Sequence, residues 1–204
     1  MMKKSKRSDV DPFIVMDVME SARIAEEKGK DIIHMEVGQP GTPAPKIAKE
    51  YITNEINKNN LGYTVSLGLP ALRTKISKLY GDWYNLDLNP NRIVVTTGSS
   101  GAFILSFSAL FDSGDRVGIG SPSYPSYRQI LKSLSLETVD IQTKLQNRFQ
   151  PVPEDITDNN LNGILVASPA NPTGSMLDKQ SLENLINTAN ENNVSFISDE
   201  IYHG

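Results

Sequence analysis

The chain has 204 residues, a net charge of −4 and no cysteine. The length admits one large domain, or one domain with part of another, and is enough to bury a core. Zero cysteine excludes disulfides, thiolate metal sites and a cysteine nucleophile, and two histidines, His34 and His203, cannot build a multi-histidine metal centre. A mildly acidic chain argues against nucleic acid as a partner, whose binding rests on clustered basic residues. No stretch approaches the roughly 18 apolar residues of a membrane-spanning helix, so no membrane role is expected. Lys3, Lys4, Lys6 and Arg7 form a basic tail. Ser8-Asp9-Val10-Asp11 follows it where a signal peptide needs an apolar run, and the expected location is cytoplasmic.

In chain order, Ile14, Val15, Val18, Ala22 and Ala25 recur at helical spacing and predict a helix over 13–28, ended by Gly29. Ile32–Met35 is short and apolar and predicts a strand. Gly38-Gln39-Pro40-Gly41-Thr42-Pro43 is a loop by composition. A helix follows from Pro45 to Lys58, with Ile47, Ala48, Tyr51, Ile52 and Ile56 facing inward, and another over 69–84 with Leu69, Leu72, Ile76, Leu79 and Trp83 on one face. Arg92–Thr96 is a β-branched run that predicts a strand. Beyond it Phe103, Ile104, Phe107, Leu110 and Phe111 mark a helix. Strands are then expected at Arg116–Gly120, Glu137–Ile141, Ile164–Ala167 and Val194–Ser198. Helices are expected at 124–134 and after Asp178, a capping residue. Such alternation predicts an α/β chain, a three-layer α/β/α sandwich on a mostly parallel sheet. The expected division is residues 1–44 as an N-terminal arm and small-domain segment, and 45–204 as the large domain.

Ligands of such sheets sit beyond the carboxyl ends of the strands, which singles out three segments. Gly98-Ser99-Ser100-Gly101 follows a strand and opens a helix, where small residues and backbone N–H groups suit an anion. Ser168-Pro169-Ala170-Asn171-Pro172-Thr173-Gly174 places a donor–acceptor amide on a rigid turn. Ser198-Asp199-Glu200-Ile201-Tyr202 puts a carboxylate and a phenol at the end of an apolar strand. Each has a plainer explanation as a capped turn or a solvated loop end. Two other motifs fail on inspection. Gly118-Ile119-Gly120 begins a dinucleotide fingerprint, but Ser123 stands in place of its third glycine. Gly98-Ser99-Ser100-Gly101-Ala102 nearly spells a nucleophile elbow, but Ala102 replaces the final glycine, and its later histidine, His203, shares a strand end with Asp199.

Taken in order, Val37-Gly38-Gln39-Pro40, Tyr63-Thr64 with Gly68-Leu69-Pro70-Ala71-Leu72-Arg73, Thr97-Gly98-Ser99-Ser100-Gly101-Ala102, Ser121-Pro122-Ser123-Tyr124-Pro125-Ser126-Tyr127, Asn171-Pro172-Thr173-Gly174 and Asp199-Glu200-Ile201-Tyr202 form a register from Pro12 to Gly204. It resembles that of the class I/II aminotransferases, fold-type I enzymes that use pyridoxal 5′-phosphate. The resemblance implies a homodimer that moves an amino group from an amino acid to a 2-oxo acid. It implies that Gly98, Ser99 and Ser100 hold the cofactor phosphate, that Tyr124 stacks on the ring, and that Asn171 and Tyr202 meet the ring oxygen. It further implies that Asp199 pairs with the ring nitrogen, that Gly38 and Asn171 contact substrate, and that Tyr63 reaches the partner subunit's phosphate. Asp199 and Tyr202 are then the expected catalytic residues. A same-fold lyase or synthase shares these residues and stays open, as does a non-catalytic binding module, although few residues precede Pro12 to hold a regulator's DNA-binding segment.

The family's Schiff-base lysine follows the Asp199 motif, whereas here the last lysine is Lys179 and the last arginine Arg148. The chain is therefore expected to be an N-terminal portion of such an enzyme and inactive by itself.

Overall fold

A computed structural model of the chain describes residues 3–203. The helices are α1 (Ile14–Glu27), α2 (Lys46–Ile56), α3 (Pro70–Tyr84), α4 (Gly98–Leu110), α5 (Pro125–Ser133), α6 (Pro153–Thr157) and α7 (Lys179–Glu191). The strands are β1 (Arg116–Ser121), β2 (Glu137–Gln142), β3 (Gly163–Ala167) and β4 (Ser195–Asp199). The chain divides into two compact units, one of the residues up to Phe13 together with those from Thr97 onward, the other Ile14–Thr96.

The first unit is built on a four-stranded sheet of order β2-β1-β3-β4, with every pair parallel. Its inward-facing residues split by parity, as a pleat requires. Val117, Ile119 and Leu165 point to one face and pack with Phe103 and Phe107 of α4 and Tyr127 and Leu131 of α5. Ile141, Ile164 and Val166 point to the other and pack with Ile156 of α6 and Leu185 and Ala189 of α7. Helices thus cover both faces, the three-layer sandwich the alternation predicts. Gly163 is demanded by close approach: a Cβ there would stand 2.2 Å from Phe111 Cζ and 3.3 Å from the Ser195 carbonyl oxygen. Ile104 and Leu110, expected in the apolar face of α4, are 46% and 48% exposed, and Phe103, Phe107 and Phe111 alone follow the spacing that meets the sheet.

The second unit holds α1, α2 and α3. Arg73 is its one buried side chain. Its guanidinium donates to the carbonyls of Gly68 (3.2 Å) and Pro90 (3.0 Å) and to Asn91 Oδ1 (3.3 Å), so it staples the turn before α3 to the turn after it. Gly68 sits at φ +98° with Val95 where its Cβ would be, a position open to glycine because a side chain would be strained and blocked. The Gly68–Arg73 motif therefore has a structural cause of its own.

Two predicted strands do not form. Ile32–Met35 and Arg92–Thr96 are irregular, the latter opening in a 3-10 turn, Pro90–Arg92. The Val95 N–H is spent on the Leu67 carbonyl at 3.0 Å, a loop contact in place of a ladder. The inward face expected for α2 is also corrected: Ile47, Tyr51, Ile52 and Ile56 are each more than half exposed, because nothing among the described residues of their unit covers them.

His34 lies between two carboxylates, 2.6 Å from Glu36 and 2.9 Å from Glu26 at the end of α1. These bonds raise its pKa to about 9, Glu36 being the larger cause. A raised folded-state pKa stabilises the fold fully below the unfolded value near 6.5 and loses that contribution as pH rises through about 9. The wild-type chain is therefore expected to melt above His34→Gln at pH 6, with the difference fading by pH 10. A constant difference across that range in thermal melts would contradict this origin.

Candidate active site at the carboxyl edge of the sheet

The sheet order places β2 and β3 on opposite sides of β1, so the direction of winding reverses there and a crevice opens beyond the carboxyl ends of β1 and β3. Gly120, Pro122, Ser123, Tyr127, Ala170 and Asn171 are among the residues that line it. Ile119 pairs with Leu165 and Ala167 with Asp199; continuing that register by two residues brings Ser121, Ala167 and Asp199 to one level. Two of the three segments singled out in the sequence, those after Ala167 and at Asp199, therefore leave the sheet side by side, with the Ser121–Tyr127 motif beside them. The Ser121–Pro122, Ser168–Pro169 and Asn171–Pro172 peptides, all cis, lie in two of these exits.

Asp199 ends β4 and is 7% exposed. Its Oδ2 accepts from the Tyr127 phenol, and its Oδ1 accepts from the Ile201 N–H at 3.1 Å. Burial first, and donation to Asp199 second, push the Tyr127 pKa far above the ordinary phenol value, so this hydroxyl remains a donor throughout the working range. Tyr127 is itself wedged edge-on against Phe103 (5.2 Å between centroids) and Tyr124 (5.5 Å). Sequence reading quoted Tyr127 within a motif but assigned it no task. Its spacing of three from Tyr124, across the first turn of α5, was the available signal.

Tyr124 is the N-cap of α5 and half-buried, with Phe13 edge-on at 5.9 Å. The arm that carries Phe13 is tied down where Gln129 Nε2 donates to the Asp11 carbonyl at 3.4 Å and Lys132 pairs with Asp11 at 3.7 Å. Asn171 is half-buried and its Nδ2 reaches the Tyr202 hydroxyl at 3.4 Å, a long contact with Tyr202 otherwise 56% exposed. Glu200 points away and takes the Ser198 hydroxyl at 2.9 Å.

Gly98, Ser99 and Ser100 form the first turn of α4. Gly98 takes φ +77° with open space beside it, and Thr97 supplies no side-chain cap. The first amides of a helix lack intrahelical partners and carry partial positive charge, so this turn suits an anion. Ser99 lies one turn before Phe103 on α4, and Phe103 packs on Tyr127, which holds Asp199. Gly38 and Tyr63 belong to the other unit, where Tyr63 is fully exposed.

Chemically, this edge offers an aromatic ring as a platform and a buried carboxylate for a cationic or N–H group, and the start of α4 offers a helix N-terminus for an anion. The edge also offers an amide–phenol pair for an oxygen. Among the described residues no cluster of His, Asp or Glu could hold a metal ion, and no helix is long and apolar enough to cross a membrane.

A curated protein from Mycobacterium tuberculosis named valine–pyruvate aminotransferase is 42% identical over 200 residues, 97% of this chain and 52% of its own length. A solved chain from Silicibacter pomeroyi is 59% identical, covered to 52%, with a TM-score of 0.89 over all of this chain. The crystal structure of an aminotransferase from Mycobacterium tuberculosis is 40% identical, with a TM-score of 0.94 over all of this chain and 53% of that one. The chain spans about half the length of the curated relatives it matches. With residues 30–204 matching the family described as aminotransferase class I and II, the chain belongs to that family.

Proposed function

We propose that this chain is the cofactor-holding portion of a transaminase that moves an amino group from an amino acid to a 2-oxo acid, with pyridoxal 5′-phosphate as cofactor. The observation that carries the reading is the buried Asp199, held on one oxygen by Tyr127 and on the other by the Ile201 N–H, at the level where three parallel strands end. The donor set fits the group part by part. Ser99, Ser100 and the start of α4 take the phosphate, Tyr124 packs on the ring, Asn171 and Tyr202 meet the ring oxygen, and Asp199 meets the ring nitrogen. When bound, this cofactor supplies an electron sink for charge released at the substrate α-carbon. Asp199 keeps the ring nitrogen protonated, and Tyr127 keeps Asp199 in place. Gly38 contacts substrate, Tyr63 reaches the phosphate of a second subunit, and the working enzyme is a homodimer in the cytoplasm. The named relative makes valine with pyruvate the first substrate pair to try.

The test is equilibrium titration of the 204-residue chain with pyridoxal 5′-phosphate. Saturable uptake of one equivalent, competed by inorganic phosphate, is expected; the absence of saturable uptake overturns the reading. Borohydride is expected to leave no stoichiometric adduct at one lysine. Every lysine precedes Asp199, and Lys179, at the start of α7, is 86% exposed and lies 3.7 Å from Glu183.

A further inference from the structure

Gln150 lies between the 3-10 turn Leu145–Asn147 and α6, yet it is 3% exposed. A buried carboxamide without partners would be costly, and this one is well supplied. Its Nε2 donates to the Ala167 carbonyl at 3.1 Å, the Ser175 carbonyl at 3.1 Å and Ser175 Oγ at 3.3 Å. Ala167 is the last residue of β3, and Ser175 lies on the far side of the turn that carries Asn171. The same Ser175 carbonyl also accepts from the Ala170 N–H at 2.9 Å, and the Gly174 N–H donates to the Ala170 carbonyl at 2.7 Å. Besides these backbone bonds, the neck of the turn is tied by one side chain from a different segment, and Asn171 stands on the loop so closed. Gln150 is also part of the wall of the crevice that Asn171 lines.

We propose that Gln150 is a positioning residue of this site: its buried carboxamide ties the end of β3 to Ser175 and so fixes where the Asn171 amide stands. The proposal rests on the cofactor reading above only for what Asn171 then touches. Gln150→Met keeps the length and removes the donor. Two readouts decide it. In the cofactor-free chain, the Asn171 side-chain amide resonance, assigned with Asn171→Ala, is expected to shift and to exchange faster with water in Gln150→Met. On titration with pyridoxal 5′-phosphate, the variant is expected to bind roughly three- to tenfold more weakly, the worth of about one net hydrogen bond. The absorbance of the bound cofactor should shift as well, because the ring oxygen loses a fixed amide. Ile156→Val, in the core cluster with Leu185 and Ala189, controls for loss of stability and should move neither readout. Should Gln150→Met fail to fold, Gln150→Glu carries the test, recovering the wild-type signals as falling pH protonates its carboxyl into a donor. Unchanged resonance and absorbance in the folded variants overturn the proposal. If the wild-type chain takes up no cofactor, the assignment of Asn171 to the ring falls while the amide resonance still decides the positioning.

Discussion

Asp199→Ala is expected to weaken retention of pyridoxal 5′-phosphate about 10- to 100-fold, the worth of a hydrogen bond to a charged group. The side chain is 7% exposed and already holds two donors, so it is oriented before any ligand arrives, and little ordering cost remains on binding. The same substitution strands the Tyr127 hydroxyl in a buried place, where an unmet donor costs about 1–3 kcal/mol. Loss of binding could then be mistaken for loss of fold. Asp199→Asn separates the two. Its amide oxygen still accepts from Tyr127, while its Nδ2 cannot accept from the Ile201 N–H, so the melting temperature should fall less than in Asp199→Ala. Its missing charge no longer favours a protonated ring nitrogen, so retention should still fall. Equal cofactor affinity in wild type and Asp199→Asn would remove Asp199 from the ring nitrogen, and with it the main support for the functional reading.

Strands β1 and β3 were legible because each is a short apolar run bounded by turn residues, and parallel strands buried on both faces have little else to be. Arg92–Thr96 has the same composition and is no strand. Propensity says which backbone a run prefers, while a ladder also needs a partner, and the Val95 N–H found Leu67 instead. Periodicity in α2 found a real apolar stripe but could not say what covers it; Ile47 is 77% exposed. At the carboxyl edge, the places of Asp199 and Asn171 at strand ends could be read from the sequence, and Tyr124 entered through the family resemblance. Gln150 was not, because a glutamine in a polar stretch gives no sign of burial. Its meaning depends on two carbonyls that only the folded chain brings near. Tyr127 stood in view beside Tyr124, but its bond to a residue 72 positions later is a tertiary fact.

Phe107→Ala is expected to lower the stability of the first unit by about 3–5 kcal/mol, the usual cost of emptying a buried phenylalanine site. Phe107 is fully buried. It stacks on Phe103 at 5.7 Å between centroids and lies 6.2 Å from Phe111, in the cluster with Val117, Ile119 and Leu165. Neither a small strand residue nor a rigid ring next door can move in to fill the space. Against a typical total of about 5–15 kcal/mol, that loss is a large share of what holds the sheet to α4. Leu105→Ala is the matched control on the same helix. Leu105 is 58% exposed, so the loss should be within about 0.5 kcal/mol. Urea unfolding followed by the hydrogen exchange of β1 and β3 amides reads the first unit apart from the second. Because α4 also begins the phosphate turn, amides of Ser99 and Ser100 should exchange faster in Phe107→Ala, at urea concentrations where Leu105→Ala is still protected. Equal unfolding midpoints for the two variants would mean that α4 is not anchored to the sheet through Phe107, and that the link from Phe103 through Tyr127 to Asp199 does not hold the site together.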